Sequence, residues 1–118
     1  MRAIRGAVCL QRDDAVEMLD AVGEMLTAIL ERNAITTDDL VSVLFTCTPD
    51  LHSGFPAAAA RVHGFSDVPL MCAQEIDVVG ALERCVRVMI HADIDRPREE
   101  IKHVYIRGAE VLRPDVKS

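Results

Sequence analysis

A single long amphipathic helix dominates the pattern of this sequence. Its apolar side chains recur at spacings of three and one residues: Ala15, Met18, Leu19, Val22, Met25, Leu26, Ile29 and Leu30. That 3.6-residue period predicts an α-helix with one apolar face. Asp14 and Glu17 predict a capping box at its start, and Asn33 favours an end there. One such helix covers only one face of a sheet, so a sheet formed by the rest of the chain would have a second face without a long helix on it.

The rest of the chain is mostly strand-like. Runs of β-branched and other apolar residues predict strands at 3–10, 40–48, 68–73 and 85–92, and shorter extended pieces at 103–106 and 109–112. A short helix is expected at 55–62, with Pro56 in its first turn and Gly64 after its end. A short helical turn is expected at 77–84. These elements predict one α+β domain over residues 1–118, with a mixed sheet of about five strands.

The second face of such a sheet has no long helix to cover it. With half of the residues hydrophobic, that face would expose a large apolar patch. Monomeric proteins rarely carry such patches. A closed homo-oligomer buries the patch against a symmetry mate, so the pattern predicts an obligate oligomer.

Composition argues against nucleic-acid and membrane partners. The net charge is -6 and only 3% of the residues are aromatic. Phosphate backbones attract an excess of Lys and Arg, and single strands stack on aromatic side chains. No apolar run approaches the ~20 residues that cross a bilayer, and Arg5 interrupts the only stretch that resembles a signal peptide. We therefore expect a soluble, cytoplasmic protein.

The four cysteines, Cys9, Cys47, Cys72 and Cys85, each lie in an apolar run. An even number in a short secreted chain would suggest two disulfides. Without an export signal we expect buried or pocket-lining thiols instead, and redox chemistry remains the alternative. No two of these cysteines form the close pair that zinc sites use, so no metal is expected.

Arginines in apolar surroundings stand out among the residues that could carry chemistry. Arg5, Arg87 and Arg113 each lie in a strand-like segment. They are either surface arginines paired with carboxylates or a pocket of fixed cations for a small anion. No Gly-rich phosphate loop or Ser/His/Asp signature is present. The histidines show no ligand-like spacing: His52, His63, His91 and His103.

Four segments carry a resemblance to a known family: IRGA (4–7), TPDLHSGFPAAAAR (48–61), VPLMCAQEIDVVGALERCVRVM (68–89) and HVYIRGAEVLRPD (103–115). In this order and spacing the chain resembles the small α/β chorismate mutases of the Bacillus type. The resemblance implies a pseudo α/β-barrel homotrimer with active sites at subunit interfaces and no cofactor. It also implies the conversion of chorismate to prephenate in the biosynthesis of Phe and Tyr.

The resemblance implies a role for each matching polar residue. Arg87 would stabilise the negative charge that develops on the ether oxygen of chorismate in the transition state. Arg5 and Tyr105 would hold the substrate carboxylates. Glu75 and Cys72 would contact the ring hydroxyl.

The resemblance also implies an apolar wall, and residues that close the pocket. The wall would consist of Phe55, Ala57, Leu70 and Met71. The first two of these would come from the neighbouring subunit. The closing residues would be Arg61, Leu112 and Arg113, the last two acting through a mobile C-terminal tail, which we expect at 113–118. Two positions depart from the family pattern: Ala58 replaces a charged residue, and Met71 replaces a smaller polar one.

Two other classes of function remain open at this point. One is a non-catalytic trimer that binds a small aromatic or carboxylated metabolite. The other is a trimeric imine or enamine hydrolase of similar architecture, which needs a water-activating carboxylate and does not require Arg87 beside Cys85. A direct assay with chorismate separates these alternatives from a mutase.

Overall fold

A five-stranded mixed sheet carries the fold. The structure is a computed structural model and describes residues 1–113. Its strands and helices are β1 (Arg2–Cys9), α1 (Ala15–Arg32), β2 (Leu40–Cys47), α2 (Pro56–Val62), β3 (Leu70–Gln74), β4 (Cys85–Ala92) and β5 (Val104–Ile106). The strand order is β3-β2-β4-β1-β5, with β4 antiparallel to both neighbours and the outer pairs parallel. The predicted α+β class and five-stranded mixed sheet are confirmed.

Helix α1 begins and ends at the predicted residues. The carboxylate of Asp14 accepts a hydrogen bond from the backbone N–H of Glu17 at 2.9 Å, and Asn33 is the C-cap. The predicted reciprocal half of the capping box is wrong. The Glu17 carboxylate accepts instead from the backbone N–H groups of Gln11 and Arg12, so it secures the connection from β1.

The core lies between the two helices and one face of the sheet. Helix α1 buries Met18, Val22, Met25, Leu26 and Ile29 against that face. Strand β4 lies at the centre of the sheet and contributes Val86, Val88 and Ile90 to the same core. Alternation along a strand sends the residues between these to the opposite side. The sequence period thus determines which side chains of β4 are available for chemistry.

The opposite side of the sheet, here called the open face, carries three rows of laterally paired residues. The rows are Ala3, His91 and Ser42; Arg5, Met89, Leu44 and Met71; and Tyr105, Ala7, Arg87, Thr46 and Ala73. The apolar side chains of Leu44 and Met71 are 41% and 62% exposed. This is the uncovered face that the sequence predicts.

Two segments differ from their predicted structure. Residues 109–112 form a short 3-10 helix rather than a strand, because Gly108 turns the chain with a φ of 93°. Residues 77–84 form turns and loop rather than a helix. Val79 is fully exposed, so this segment lacks the packing that stabilises short helices in proteins.

Two of the four cysteines are paired, which corrects the expectation of free thiols. Cys9 and Cys85 form a disulfide between β1 and β4, whereas Cys47 and Cys72 are free. The two bridged residues are 76 positions apart in sequence. They meet because the antiparallel register places them directly opposite each other, with 4.2 Å between their Cα atoms.

Candidate active site

One row of the open face brings together polar residues from separate parts of the chain. Tyr105 pairs with Ala7, Ala7 pairs with Arg87, and Arg87 pairs with Thr46. Neighbouring strands lie about 4.8 Å apart, so the backbones of Tyr105 and Arg87 are roughly 10 Å apart. The small side chain of Ala7 between them is fully buried and packs with Tyr105.

The side chains of Arg87 and Glu75 form an ion pair in this row. Arg87 Nε lies 2.8 Å from Glu75 Oε1, and the Thr46 hydroxyl donates to the same oxygen at 2.7 Å. The side chain of Glu75 is 15% exposed, whereas that of Arg87 is 48% exposed. The guanidinium therefore keeps a solvent-facing edge while its carboxylate partner is enclosed.

Arg5 lies in the adjacent row, where its backbone is bound by a histidine. The backbone N–H of Arg5 donates to Nδ1 of His103 at 2.9 Å. Burial lowers the pKa of His103 below its ordinary value, and the positive charges of Arg5 and Arg113 lower it further. The ring is therefore neutral near pH 7, which leaves Nδ1 free to accept.

Strand β3 divides its residues between the two faces. Met71 pairs with Leu44 on the open face, whereas Cys72 pairs with Phe45 and packs its side chain against the core, as Leu70 does. Only the backbone of Cys72 thus borders the row that contains Thr46 and Ala73. This strand is at the edge of the sheet, so its outer side has no strand neighbour within residues 1–113.

Cys47 lies beside this region as a half-buried thiol. Burial, together with nearby Cys72 and Glu75, raises its pKa to about 12. At neutral pH the Cys47 side chain is therefore a neutral thiol and a poor nucleophile.

The structure places Ala57 and Arg61 away from the polar row and Phe55 near only its outer end. Phe55 immediately precedes α2, is 73% exposed and lines a cavity with Cys72 and Ala73 of β3, whereas Ala57 is buried in the core and Arg61 is exposed. Helix α2 packs on the same side of the sheet as α1, whereas Arg87 projects from the open face. Within one chain these three residues and Arg87 do not form one site.

The C-terminal side of the row is closed by the segment after β5. Tyr105 is 4% exposed and packs with Ala7, Ala109 and Leu112 in a small second cluster. The predicted tail lies outside the described residues except for Arg113, which is half-buried.

The sequence reading missed two residues of this site. Thr46 appeared only as part of an apolar strand, and His103 only as a histidine without ligand spacing. For Thr46 a signal was present: in a strand that alternates between two faces, it shares the side of Ser42 and Leu44, opposite Val43 and Phe45.

Chemically, the open face offers guanidinium groups to a small anionic ligand, and the buried Tyr105 lies in the same row as Arg87. Cations that are anchored by carboxylates suit the recognition of carboxylates and of developing negative charge. Within residues 1–113, no group of three or more His, Cys, Asp and Glu side chains is arranged to hold a metal ion. None of the helices described there is long and apolar enough to span a membrane.

Comparison with known proteins places this α+β chain in a family of isomerases. The family model for chorismate mutase type I matches residues 1–116. The chain therefore belongs to the type I chorismate mutase family, which confirms the predicted family and enzyme class.

Known relatives extend over the whole chain. The chorismate mutase AroH of Bacillus subtilis (strain 168) is 44% identical over 117 residues, which cover 98% of this chain and 92% of the relative. AroH of Thermus thermophilus is 43% identical over 119 residues, with 100% and 98% covered. A solved chorismate mutase structure from Clostridium thermocellum superposes with a TM-score of 0.92 at 44% identity, covering 94% of this chain and 99% of that one.

Proposed function

We propose that the open face, completed by a neighbouring subunit, converts chorismate to prephenate in aromatic amino acid biosynthesis. The observation that carries this proposal is the position of Arg87: a half-exposed guanidinium, anchored by Glu75 and in the same row as Tyr105. This arrangement supplies a permanent positive charge at a defined point of a small-anion site.

The reaction exchanges one bond within a single molecule. The ether C–O bond of chorismate breaks while a C–C bond forms, and negative charge develops on the ether oxygen. A guanidinium directed at that oxygen stabilises the transition state more than the ground state, which is what accelerates the step. No proton transfer is required, so the carboxylate of Glu75 need not act as an acid or a base.

The remaining site residues would bind and order the substrate. Arg5 and Tyr105 hold its two carboxylates, and Glu75 with Cys72 holds the ring hydroxyl. Because the side chain of Cys72 packs inward, its contribution comes through its backbone. Binding the compact conformer of chorismate brings the two reacting carbons together before the bond exchange.

The other half of the pocket is supplied by a second copy of the chain. Ala57 lies on the helix side of its own sheet and Phe55 beside the outer edge of β3, so we expect both to reach the Arg87 side of an open face only across a subunit interface. Met71 extends the apolar wall on the open face, whereas Leu70 packs inward against the core and lies behind it. Arg61, Leu112 and Arg113 close the entrance. We propose a homotrimer: a cyclic assembly gives every open face one such neighbour, and the number three follows from the family resemblance.

The proposed location is the cytoplasm, as for other enzymes of small-molecule biosynthesis. The Cys9–Cys85 disulfide is the observation that opposes it, because disulfides rarely persist in the reducing cytosol.

The test is the loss of chorismate absorbance with purified protein and with variants of Arg87. Arg87→Ala should lower kcat by at least about 10²–10³-fold, because one lost oxyanion donor already costs that much. Arg87→Lys should recover only part of this loss, because an ammonium lacks the planar fork. The kcat of the wild-type protein should be flat with pH around neutrality, since no catalytic group transfers a proton.

A matched control is Arg107→Ala. Arg107 Nε also forms an ion pair, with Glu24 Oε1 at 2.7 Å, on a different surface. This variant should keep wild-type kcat. An unchanged kcat in Arg87→Ala would overturn the assigned role, and a wild-type protein that leaves chorismate unchanged would overturn the function.

A further inference from the structure

Glu75 occupies an unusual place for a carboxylate that must hold a fixed position. It follows the last residue of β3 and begins the connection to β4, in which Ile76 and Val79 are 86% and 102% exposed. A residue at the start of such a segment lies outside the hydrogen-bonded strand, so regular strand pairing does not fix its position. Whatever fixes Glu75 must therefore come from a neighbouring element.

Strand β2 supplies that support through two consecutive residues. The backbone N–H of Glu75 donates to the carbonyl oxygen of Cys47 at 2.9 Å, and the Thr46 hydroxyl donates to Glu75 Oε1 at 2.7 Å. One contact fixes the backbone and the other fixes the carboxylate. Thr46 is itself fixed, because it pairs with Ala73 of β3 on one side and Arg87 of β4 on the other.

The same carboxylate oxygen receives both Thr46 and Arg87. Oε1 is thus the point at which the hydroxyl and the guanidinium Nε, 2.8 Å away, converge. Among residues 1–113, neither a hydrogen bond nor an ion pair reaches Oε2 of Glu75 or the terminal amino groups of Arg87. Those are the atoms left to face a ligand.

We propose that Thr46 is a positioning residue: its hydroxyl holds Glu75 Oε1 and, through it, sets the direction of the Arg87 guanidinium. This inference rests on the proposed function, because the direction of Arg87 matters only if a charge develops in front of it. A threonine suits this task because its branched side chain has few rotamers in a strand.

The test compares Thr46→Val with Thr46→Ser. Valine keeps the shape and strand preference of threonine but cannot donate, whereas serine keeps the donor. We expect Thr46→Val to lower kcat by about tenfold, the scale of one hydrogen bond to a charged group, with KM changed by less than about threefold. Thr46→Ser should restore most of kcat. Ser42→Ala removes another open-face hydroxyl on β2, paired with His91, and should have little effect.

A mutant cycle shows whether Thr46 acts through Glu75. In the Glu75→Ala background, Thr46→Val should have no further effect on kcat, because the carboxylate that it holds is gone. The idea is overturned if the loss is equally large with and without Glu75. It is also overturned if Thr46→Ser is as slow as Thr46→Val, since the methyl group rather than the hydroxyl would then matter.

A second readout does not depend on turnover. The ¹⁵Nε–¹H resonance of Arg87, assigned by its absence in Arg87→Lys, reports the ion pair directly. It should shift in Thr46→Val and stay in place in Thr46→Ser. If wild-type protein fails to turn over chorismate, the proposed function falls, and this resonance still decides whether Thr46 positions Arg87. An Arg87 resonance that is unmoved in Thr46→Val contradicts the positioning role.

Discussion

At the scale of single residues, His103 shows how the site couples to pH. Its ring accepts the backbone N–H of Arg5, and burial together with Arg5 and Arg113 lowers its pKa below 6.5. As pH falls through 6.5 the unfolded chain therefore takes up a proton before the folded chain does. The contribution of His103 to stability is complete above 6.5 and is lost as the pH falls below it.

This predicts an acid-labile protein whose lability depends partly on His103. Replacing it with Asn keeps an acceptor near the position of Nδ1 and removes the titration. The free energy of unfolding, measured in urea at about pH 7.5 and about pH 5.5, should fall less in His103→Asn than in the wild type. An equal fall in His103→Asn and wild type would contradict the prediction.

The sequence alone could identify most residues of the candidate site, but not the contacts among their side chains. The resemblance assigned Arg5, Glu75, Arg87 and Tyr105, and the structure gathers them on or beside one face. It could not assign Thr46, because a threonine in an apolar strand is typical of any sheet. Its role depends on the lateral register of three strands, which no local pattern encodes.

At the scale of elements, β1 approaches α1 closely at Gly6. A Cβ there would lie 2.9 Å from Ile29 Cδ1, 3.1 Å from Val88 Cγ1 and 3.3 Å from Met25 Cγ. Ile29 is fully buried, so its side chain has no solvent to move into. The absence of a side chain at position 6 thus sets how near the helix lies to the sheet.

We expect Gly6→Ala to destabilise the protein by about 1–2 kcal/mol, because overpacking outweighs the backbone entropy that alanine saves. The measurement is the urea midpoint at unchanged m-value. In an Ile29→Val background, which lacks Cδ1, the added cost of Gly6→Ala should be smaller. Stabilisation by Gly6→Ala, or an identical cost in both backgrounds, would show that the contact is not limiting.

The disulfide also links elements, since it joins the ends of β1 and β4. We expect two of the four thiols to react with a thiol reagent in unfolded, unreduced protein, and all four after reduction. In the folded protein Cys47 should react more slowly than in a denatured control, because burial raises its pKa to about 12. Four reactive thiols before reduction would contradict the bridge.

Element boundaries were predictable where one strong period governs a segment. Helix α1 and strands β1, β2 and β4 agree with their predicted spans to within about two residues. Residues 109–112 were not predictable, because three apolar residues and Glu110 fit a strand or a 3-10 turn equally well. The positive φ of Gly108 decides between them, and it is a property of the folded backbone.

At the scale of the whole molecule, the exposed apolar side chains of the open face favour association with another subunit. Leu44 and Met71 lie side by side there, 41% and 62% exposed, within the row that contains Arg5. A single chain leaves them in water beside half of the proposed site, whereas the proposed oligomer would cover them and supply the other half. The sequence could predict an uncovered face from one helix and five strands, but the number of subunits comes from the family.

The last prediction tests the assembly through the site itself. If Arg87 acts in one subunit and Phe55 in its neighbour, then Arg87→Ala and Phe55→Asp, each inactive alone, should complement each other when mixed. A site is intact when a Phe55→Asp chain provides Arg87 and an Arg87→Ala chain provides Phe55. Random mixing at equal amounts makes about a quarter of all sites intact in a cyclic trimer.

The measurement is chorismate turnover after co-refolding the two variants, with each variant refolded alone as the control. Activity should approach about a quarter of the wild-type value and follow the product of the two chain fractions as their ratio is varied. If both residues belonged to a site within one chain, every chain would carry a defective site and mixing would restore nothing. Because Phe55 lies beside the outer edge of β3 and Arg87 lies on β4, with β2 between them, the fold favours the shared site.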